Sequence, residues 1–151
     1  MNTYEQIRKD LKEAMKARDS LTSSVLRGLL SAFTNELVAQ KKKPTDRLSE
    51  EEIIRVIKRA TKQRKDSITQ FKQAGRDDLA TKEDSELEVL KKYLPAEATE
   101  EEVKQILKQK KDELQISDKS KIGILIGATM KELAGRADGS LVKELAQELL
   151  D

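Results

Sequence analysis

The stretch that decides the fold is RKDSITQFKQAGRDDLATKEDSELEVLKKYLP, from Arg64 to Pro95. It predicts the end of a long helix, a turn at Gly75, and a second helix that Pro95 terminates. The charge reverses at this turn, because residues 76–98 hold 7 Asp or Glu against 4 Lys or Arg. We expect the residues upstream to pack against these two helices and the residues downstream to form a separate unit.

The long helix begins at a predicted capping box, in which the Ser49 hydroxyl and the Glu52 carboxylate each accept from a free backbone N–H. Apolar residues then recur mostly three, four and seven positions apart, which is helical periodicity. From Ser49 to Ala74 the helix would be roughly 40 Å long, at about 1.5 Å per residue. Its polar side carries cations that indicate either a solvated face or an anion-binding face: Arg55, Lys58, Arg59, Lys62, Arg64, Lys65 and Lys72.

Two helices are predicted before the long one. The first spans about residues 3–18 and opens on a second capping box, formed by Thr3 and Gln6. The next spans about residues 19–40 and has a continuous apolar stripe. Arg27 interrupts that apolar run. It could pair with a buried carboxylate or face a ligand, and we favour the structural role.

Three shorter helices are predicted after Pro95. Thr99 and Glu102 form a third capping box at the start of the first. The second contains Gly123 and Gly127. Glycine within a helix costs about 1 kcal/mol relative to alanine, so this pair predicts the close approach of another backbone. The turn GRADGS, residues 135–140, leads into the last helix. In this turn Gly135 is the predicted C′ residue of the preceding helix, and Asp138 is the predicted N-cap of the last one.

No segment shows the alternating pattern of a strand. We therefore predict an all-α fold in two parts. Residues 1–95 form an N-terminal helical bundle with one long helix, and residues 96–151 form a small C-terminal three-helix domain.

Three segments resemble the GatB/YqeY family, and they occur in the family's order along nearly the whole chain. They are DSLTSSVLRGLLSAFTNE (Asp19–Glu36), AGRDDLATKEDSELEVLKKYLP (Ala74–Pro95) and GRADGSLVKELAQELL (Gly135–Leu150). The resemblance is closest to the free-standing YqeY-like members and implies two helical domains. It also implies kinship with the tail of the B subunit of the amidotransferase that converts misacylated Glu-tRNA or Asp-tRNA to the amide form. Through that kinship, the resemblance implies an association with carbon–nitrogen ligases that use glutamine as amido donor.

The chain itself offers no visible catalytic constellation for that reaction. It has no Cys and no His, so the usual thiol nucleophile and the commonest general base are both missing. The only adjacent serines, Ser23 and Ser24, lie in a predicted helix, and there is no phosphate-binding GxxxxGK[ST] loop. We predict no glutaminase or amide-forming activity from the chain alone and no cofactor.

Acidic side chains after the turn could hold Mg²⁺ in principle. Helix caps and charge pairs explain them more simply, so we predict no metal site. These side chains are Asp77, Asp78, Glu83, Asp84 and Glu86.

The charge of the chain is unevenly placed. Residues 1–75 carry 17 Lys or Arg and 10 Asp or Glu, whereas residues 76–151 carry 13 and 18. An anionic partner would therefore meet the first half. We expect tRNA or another structured RNA to bind through Arg55, Lys58, Arg59, Lys62, Arg64 and Lys65. Arg136 is a further candidate, because free N–H groups at the start of the last helix suit a phosphate.

Two alternatives to this RNA-associated module stay open. The chain could be a subunit or enzyme of amide carbon–nitrogen chemistry, or a helical adaptor that binds an amidotransferase or translation-related protein without touching RNA. Aromatic residues make up only 3%, so a base-stacking platform is not expected. The sequence has neither an apolar signal region nor a membrane-length apolar run, and we expect a cytoplasmic protein without membrane contact.

Overall fold

The computed structural model describes residues 1–151, and the prediction of an all-α fold is confirmed. The chain forms seven α-helices with one short 3₁₀-helix, Lys119–Lys121, before the sixth. The α-helices are α1 (Thr3–Lys16), α2 (Ser20–Ala39), α3 (Glu50–Gln73), α4 (Asp77–Lys91), α5 (Glu100–Glu113), α6 (Ile122–Leu133) and α7 (Gly139–Leu150).

The helix ends follow local sequence rules at most positions. Both halves of the capping box at α3 are present, since Glu52 N donates to Ser49 Oγ and Ser49 N donates to Glu52 Oε2. The Asp19 side chain caps α2, and Gly75 at φ 72° follows the C-cap of α3. The prediction for α1 is wrong: Asn2 is its N-cap, and the Thr3 hydroxyl donates instead to Glu50.

Residues Met1–Leu94 form one compact unit. Its core contains Ile7 from α1, Leu26 and Phe33 from α2, Ile57 from α3 and Leu90 from α4, each almost fully buried. Tyr93 lies just beyond α4, and its hydroxyl donates to Asp10 Oδ2 at 2.6 Å. This hydrogen bond joins the end of α4 to α1. Burial raises the pKa of Tyr93, and its hydrogen bond to Asp10 adds to that rise.

Residues Pro95–Asp151 form the second unit. Val103, Leu107, Leu125, Leu133 and Val142 are buried at its centre, from α5, α6 and α7. Thr129 of α6 also lies in this core, fully buried, and its hydroxyl has no hydrogen-bond partner. Asp138 caps α7 as predicted.

The predicted close approach at Gly123 and Gly127 is wrong. Both glycines are exposed, and a Cβ atom built at either one would meet nothing within 4 Å. Ile124 beside them is 59% exposed. The glycine spacing therefore marks the outer side of α6 and not a contact within the unit.

Candidate nucleic-acid interface

The outward side of α3 gathers most of the predicted cations. At about 100° per residue, Arg55, Lys58, Arg59, Lys62 and Lys65 fall within roughly a third of the helix circumference. Ile53, Val56 and Ile57 point the other way and are buried in the core. Four of the five cations are exposed and Lys58 is half-buried, so the helix presents a basic stripe, here called the α3 basic face.

Arg59 lies at the edge of the α3 basic face nearest α2. Its Nη1 atom donates to Glu36 Oε2 at 3.1 Å, and its side chain is 55% exposed. Hydrogen bonds from Gln40 and then from Arg59 hold the pKa of the Glu36 carboxyl below its ordinary value. The Glu36 carboxylate therefore stays ionised at neutral pH, and its ion pair with Arg59 fixes this edge of the face to α2.

Arg64 does not share the α3 basic face, contrary to the sequence prediction. Its guanidinium pairs with both Glu83 and Glu86 of α4, and its side chain is only 26% exposed. The position falls on the buried side of α3, where the apolar stripe is interrupted. Arg64 is thus an internal tie between α3 and α4 and is not available to a phosphate without breaking that tie.

Arg136 is also engaged within its own unit. Its Nε atom donates to the Ala96 carbonyl at 3.0 Å, and Nη2 donates to Glu102 at 3.1 Å. Its own carbonyl accepts from Ala98 N. The capping box predicted at α5 is only half formed: the Thr99 side chain accepts from Glu102 N, but the Glu102 carboxylate accepts from Arg136 and not from Thr99 N. The arrangement favours a structural role for Arg136 over the predicted phosphate contact.

Two charged residues modify the expected picture of the first unit. Arg27 is exposed on α2 and has no ion pair, so the interpretation of a buried partner is wrong.

Asp66 is exposed one turn after Lys62 and directly follows Lys65, and it lowers the positive charge at that end of the α3 basic face. The carboxylate is visible in the sequence, but its place on the basic face follows only from the helical projection.

A groove of about 330 Å³ lies between α2 and α3. Its lining combines small apolar side chains with two amides and one ion pair: Ala32, Asn35, Glu36, Ala39, Val56, Arg59, Ala60 and Gln63. Sequence reasoning missed this feature. The only signal was a series of alanines on facing helices, and their juxtaposition depends on how α2 crosses α3.

Three of the acidic side chains after Gly75 pair with an arginine. Glu83 and Glu86 accept from Arg64, and Asp78 accepts from Arg76. Neither Asp77 nor Asp78 is the N-cap of α4, which is Arg76 without a side-chain cap. No group of three or more acidic side chains comes together in a way that could hold a metal ion.

The model of the YqeY-like protein family matches residues 4–150 of this chain. The chain belongs to the YqeY-like family. The predicted family resemblance is therefore confirmed over both units.

Curated relatives are yeast proteins named "Altered inheritance of mitochondria protein 41, mitochondrial". The Saccharomyces cerevisiae protein is 40% identical over 85 residues, which cover 56% of this chain and 44% of that protein. The Kluyveromyces lactis protein is 37% identical over 98 residues, covering 63% and 51%. The chain spans about half the length of these relatives. No α-helix is long and apolar enough to cross a membrane.

Proposed function

We propose that this chain is an RNA-binding module, with tRNA as the first candidate, and that the α3 basic face contacts the phosphate backbone. The observation that carries the proposal is the arrangement of Arg55, Lys58, Arg59, Lys62 and Lys65 on one outward side of a 24-residue helix. The resemblance to the tail of the tRNA-dependent amidotransferase B subunit supports the same class of ligand. Catalysis by the chain alone is not part of the proposal.

The geometry suits a nucleic-acid backbone. From Arg55 to Lys65 the basic face extends about 15 Å along the helix axis, at about 1.5 Å per residue. Cations spaced along this length can neutralise successive phosphates and release their counterions. With only two Tyr and two Phe in the chain, recognition depends on backbone shape and charge more than on stacking.

The test reverses three lysines, Lys58→Glu, Lys62→Glu and Lys65→Glu, and measures tRNA affinity at several salt concentrations. Each lost phosphate contact flattens the slope of log affinity against log salt by roughly 0.7 to 0.9. We expect a strong loss of affinity and a slope that is flatter by about two to three units. Helicity should not change, because none of the three side chains belongs to the buried core.

A matched control is available on α1. Lys9, Lys12 and Lys16 are all exposed and have nearly the same spacing along their helix. Reversal of these three to Glu makes the same change in net charge but leaves the α3 basic face intact. If the control loses as much affinity as the α3 variant, binding follows net charge alone and the assigned face is wrong. If the α3 variant binds like the parent with the same slope, RNA contact through α3 is excluded.

A further inference from the structure

We infer that the groove between α2 and α3 is a pocket for an unstacked nucleobase, with adenine as the best match. The inference rests on the proposed function, because it assigns the base of an RNA whose phosphates lie on the α3 basic face. The chemistry that the groove would recognise is a planar heterocycle with hydrogen-bond donors and acceptors on its edge. A free nucleotide offers the same chemistry as an unpaired base in RNA.

The size and floor of the groove suit such a ring. Its volume of about 330 Å³ falls at the lower end of the range for small-molecule pockets, roughly 300–1,000 Å³. Ala32, Ala39, Ala60 and Val56 supply short apolar side chains from both helices. Because none of these side chains is long or charged, they leave room for a flat apolar group to lie between α2 and α3.

Two amides are available for the edge of the base. Asn35 lines the groove from α2 and Gln63 lines it from α3. Both are exposed, and neither side chain has a hydrogen-bond partner within the chain. A carboxamide carries an N–H₂ donor and a carbonyl acceptor, and Asn or Gln pairs in this way with N6 and N7 of adenine. Unpaired RNA bases are commonly recognised through such edges.

The ion pair of Glu36 and Arg59 connects the groove to the backbone interface. Both residues line the groove, and Arg59 also belongs to the α3 basic face. Lys62 precedes Gln63 directly and projects from the outward side. A nucleotide with its base in the groove would therefore place its phosphate beside cations that the proposed function already uses.

The test removes the amides without changing charge or helix length. The double variant Asn35→Leu with Gln63→Met keeps side chains of similar length and good helix propensity. The matched control is Gln70→Met with Gln73→Met, two exposed positions on α3 outside the groove. Each protein is titrated with a short oligoadenylate, with the same oligomer carrying abasic central residues, and with adenosine monophosphate.

The parent and the control should bind oligoadenylate roughly tenfold or more tightly than the abasic oligomer, on the scale of one bidentate amide–base contact. The groove variant should lose this preference while retaining the affinity of the parent for the abasic oligomer. If the parent binds both oligomers equally, the base pocket is refuted and the phosphate interface stands.

Three other outcomes are informative. If neither oligomer binds but adenosine monophosphate binds and depends on Asn35 and Gln63, the groove is a free-nucleotide site and not a pocket for an RNA base. If none of the three probes binds, the base pocket is overturned, and the tRNA titration of the α3 variant decides the phosphate interface separately. If the control variant loses the base preference as well, the amides at the groove are not responsible.

Discussion

Tyr93 and Tyr4, the only tyrosines of the chain, have different surroundings. The Tyr93 hydroxyl donates to Asp10, whereas Tyr4 packs its ring near Phe33 and under Arg47 and makes no hydrogen bond through its hydroxyl. Removing each hydroxyl in turn therefore measures how much the Tyr93–Asp10 hydrogen bond contributes to the free energy of unfolding, with Tyr4 as the reference.

Tyr93→Phe should destabilise the first unit by about 1–2 kcal/mol, because it removes a hydrogen bond to a carboxylate. Tyr4→Phe should change the free energy of unfolding by much less, as measured by urea denaturation. The pKa of Tyr93 is raised on folding, so its contribution is full below about pH 10, the ordinary value, and is lost at higher pH. Stability of the parent should therefore fall above pH 10 more than that of Tyr93→Phe. Equal losses in the two Phe variants would contradict this account.

A substitution at Thr129 should increase stability. Its buried hydroxyl lacks a partner, and an unsatisfied buried polar group costs about 1–3 kcal/mol. Thr129→Val keeps the shape and should raise the melting temperature of the second unit, with a gain of about 1 kcal/mol. Thr61 is the control, because its buried hydroxyl donates to the Ile57 carbonyl at 2.9 Å. Thr61→Val should not stabilise; a gain there of the same size would remove the assigned cause.

At the scale of elements, α3 carries two kinds of cation that the sequence alone did not separate. Helix ends and buried stripes are local, so Ser49, Asp19 and Asp138 could be recognised as caps from their neighbours. Arg64 differs from Arg55 only in which side of the helix it occupies and which helix lies opposite. The interruption of the apolar stripe at Arg64 was visible, but its partners Glu83 and Glu86 depend on how α4 packs. The groove depends on packing in the same way.

Arg64→Met should therefore lower stability without changing RNA binding, whereas Arg55→Met should weaken RNA binding without changing stability. Arg64→Met leaves Glu83 and Glu86 close together without their cation and should destabilise the first unit by about 1–2 kcal/mol. It should leave the salt slope of RNA binding unchanged. Arg55→Met should flatten that slope by nearly one unit and barely alter stability. Thermal melts and salt-dependent titrations on both variants measure this, and a shared phenotype would place both arginines in one role.

At the scale of the whole molecule, the chain contains two units with separate cores, Met1–Leu94 and Pro95–Asp151. Family membership extends over both, so the sequence identified the relationship correctly. The functional site is harder to locate from sequence, because no chemically distinctive residue such as Cys or His marks it. The site must instead be inferred from how charged and polar side chains are arranged on the surface.

The two units should fold as separate polypeptides. Residues 1–94 and residues 95–151, expressed individually, should each be helical and unfold cooperatively, because each buries its own apolar cluster. Circular dichroism and thermal melts provide the measurement. Loss of cooperative unfolding in either fragment would show that the unit depends on the rest of the chain. Cleavage of the intact chain by a protease near residues 95–98 should release the same two pieces.

The hydrogen bonds of Arg136 have a consequence for how such a unit could be joined to other proteins. Because Arg136 binds the Ala96 carbonyl and accepts from Ala98 N, the polypeptide before α5 is fastened to the unit that follows it. A genetic fusion made at Pro95 would keep residues 96–98 and their hydrogen bonds to Arg136, and it would need nothing from the preceding chain. A fusion made at Thr99 would delete both of these hydrogen bonds and leave the Arg136 side chain with Glu102 as its partner. The natural joint for transplantation, by recombination or by design, therefore lies four residues before the cap of α5.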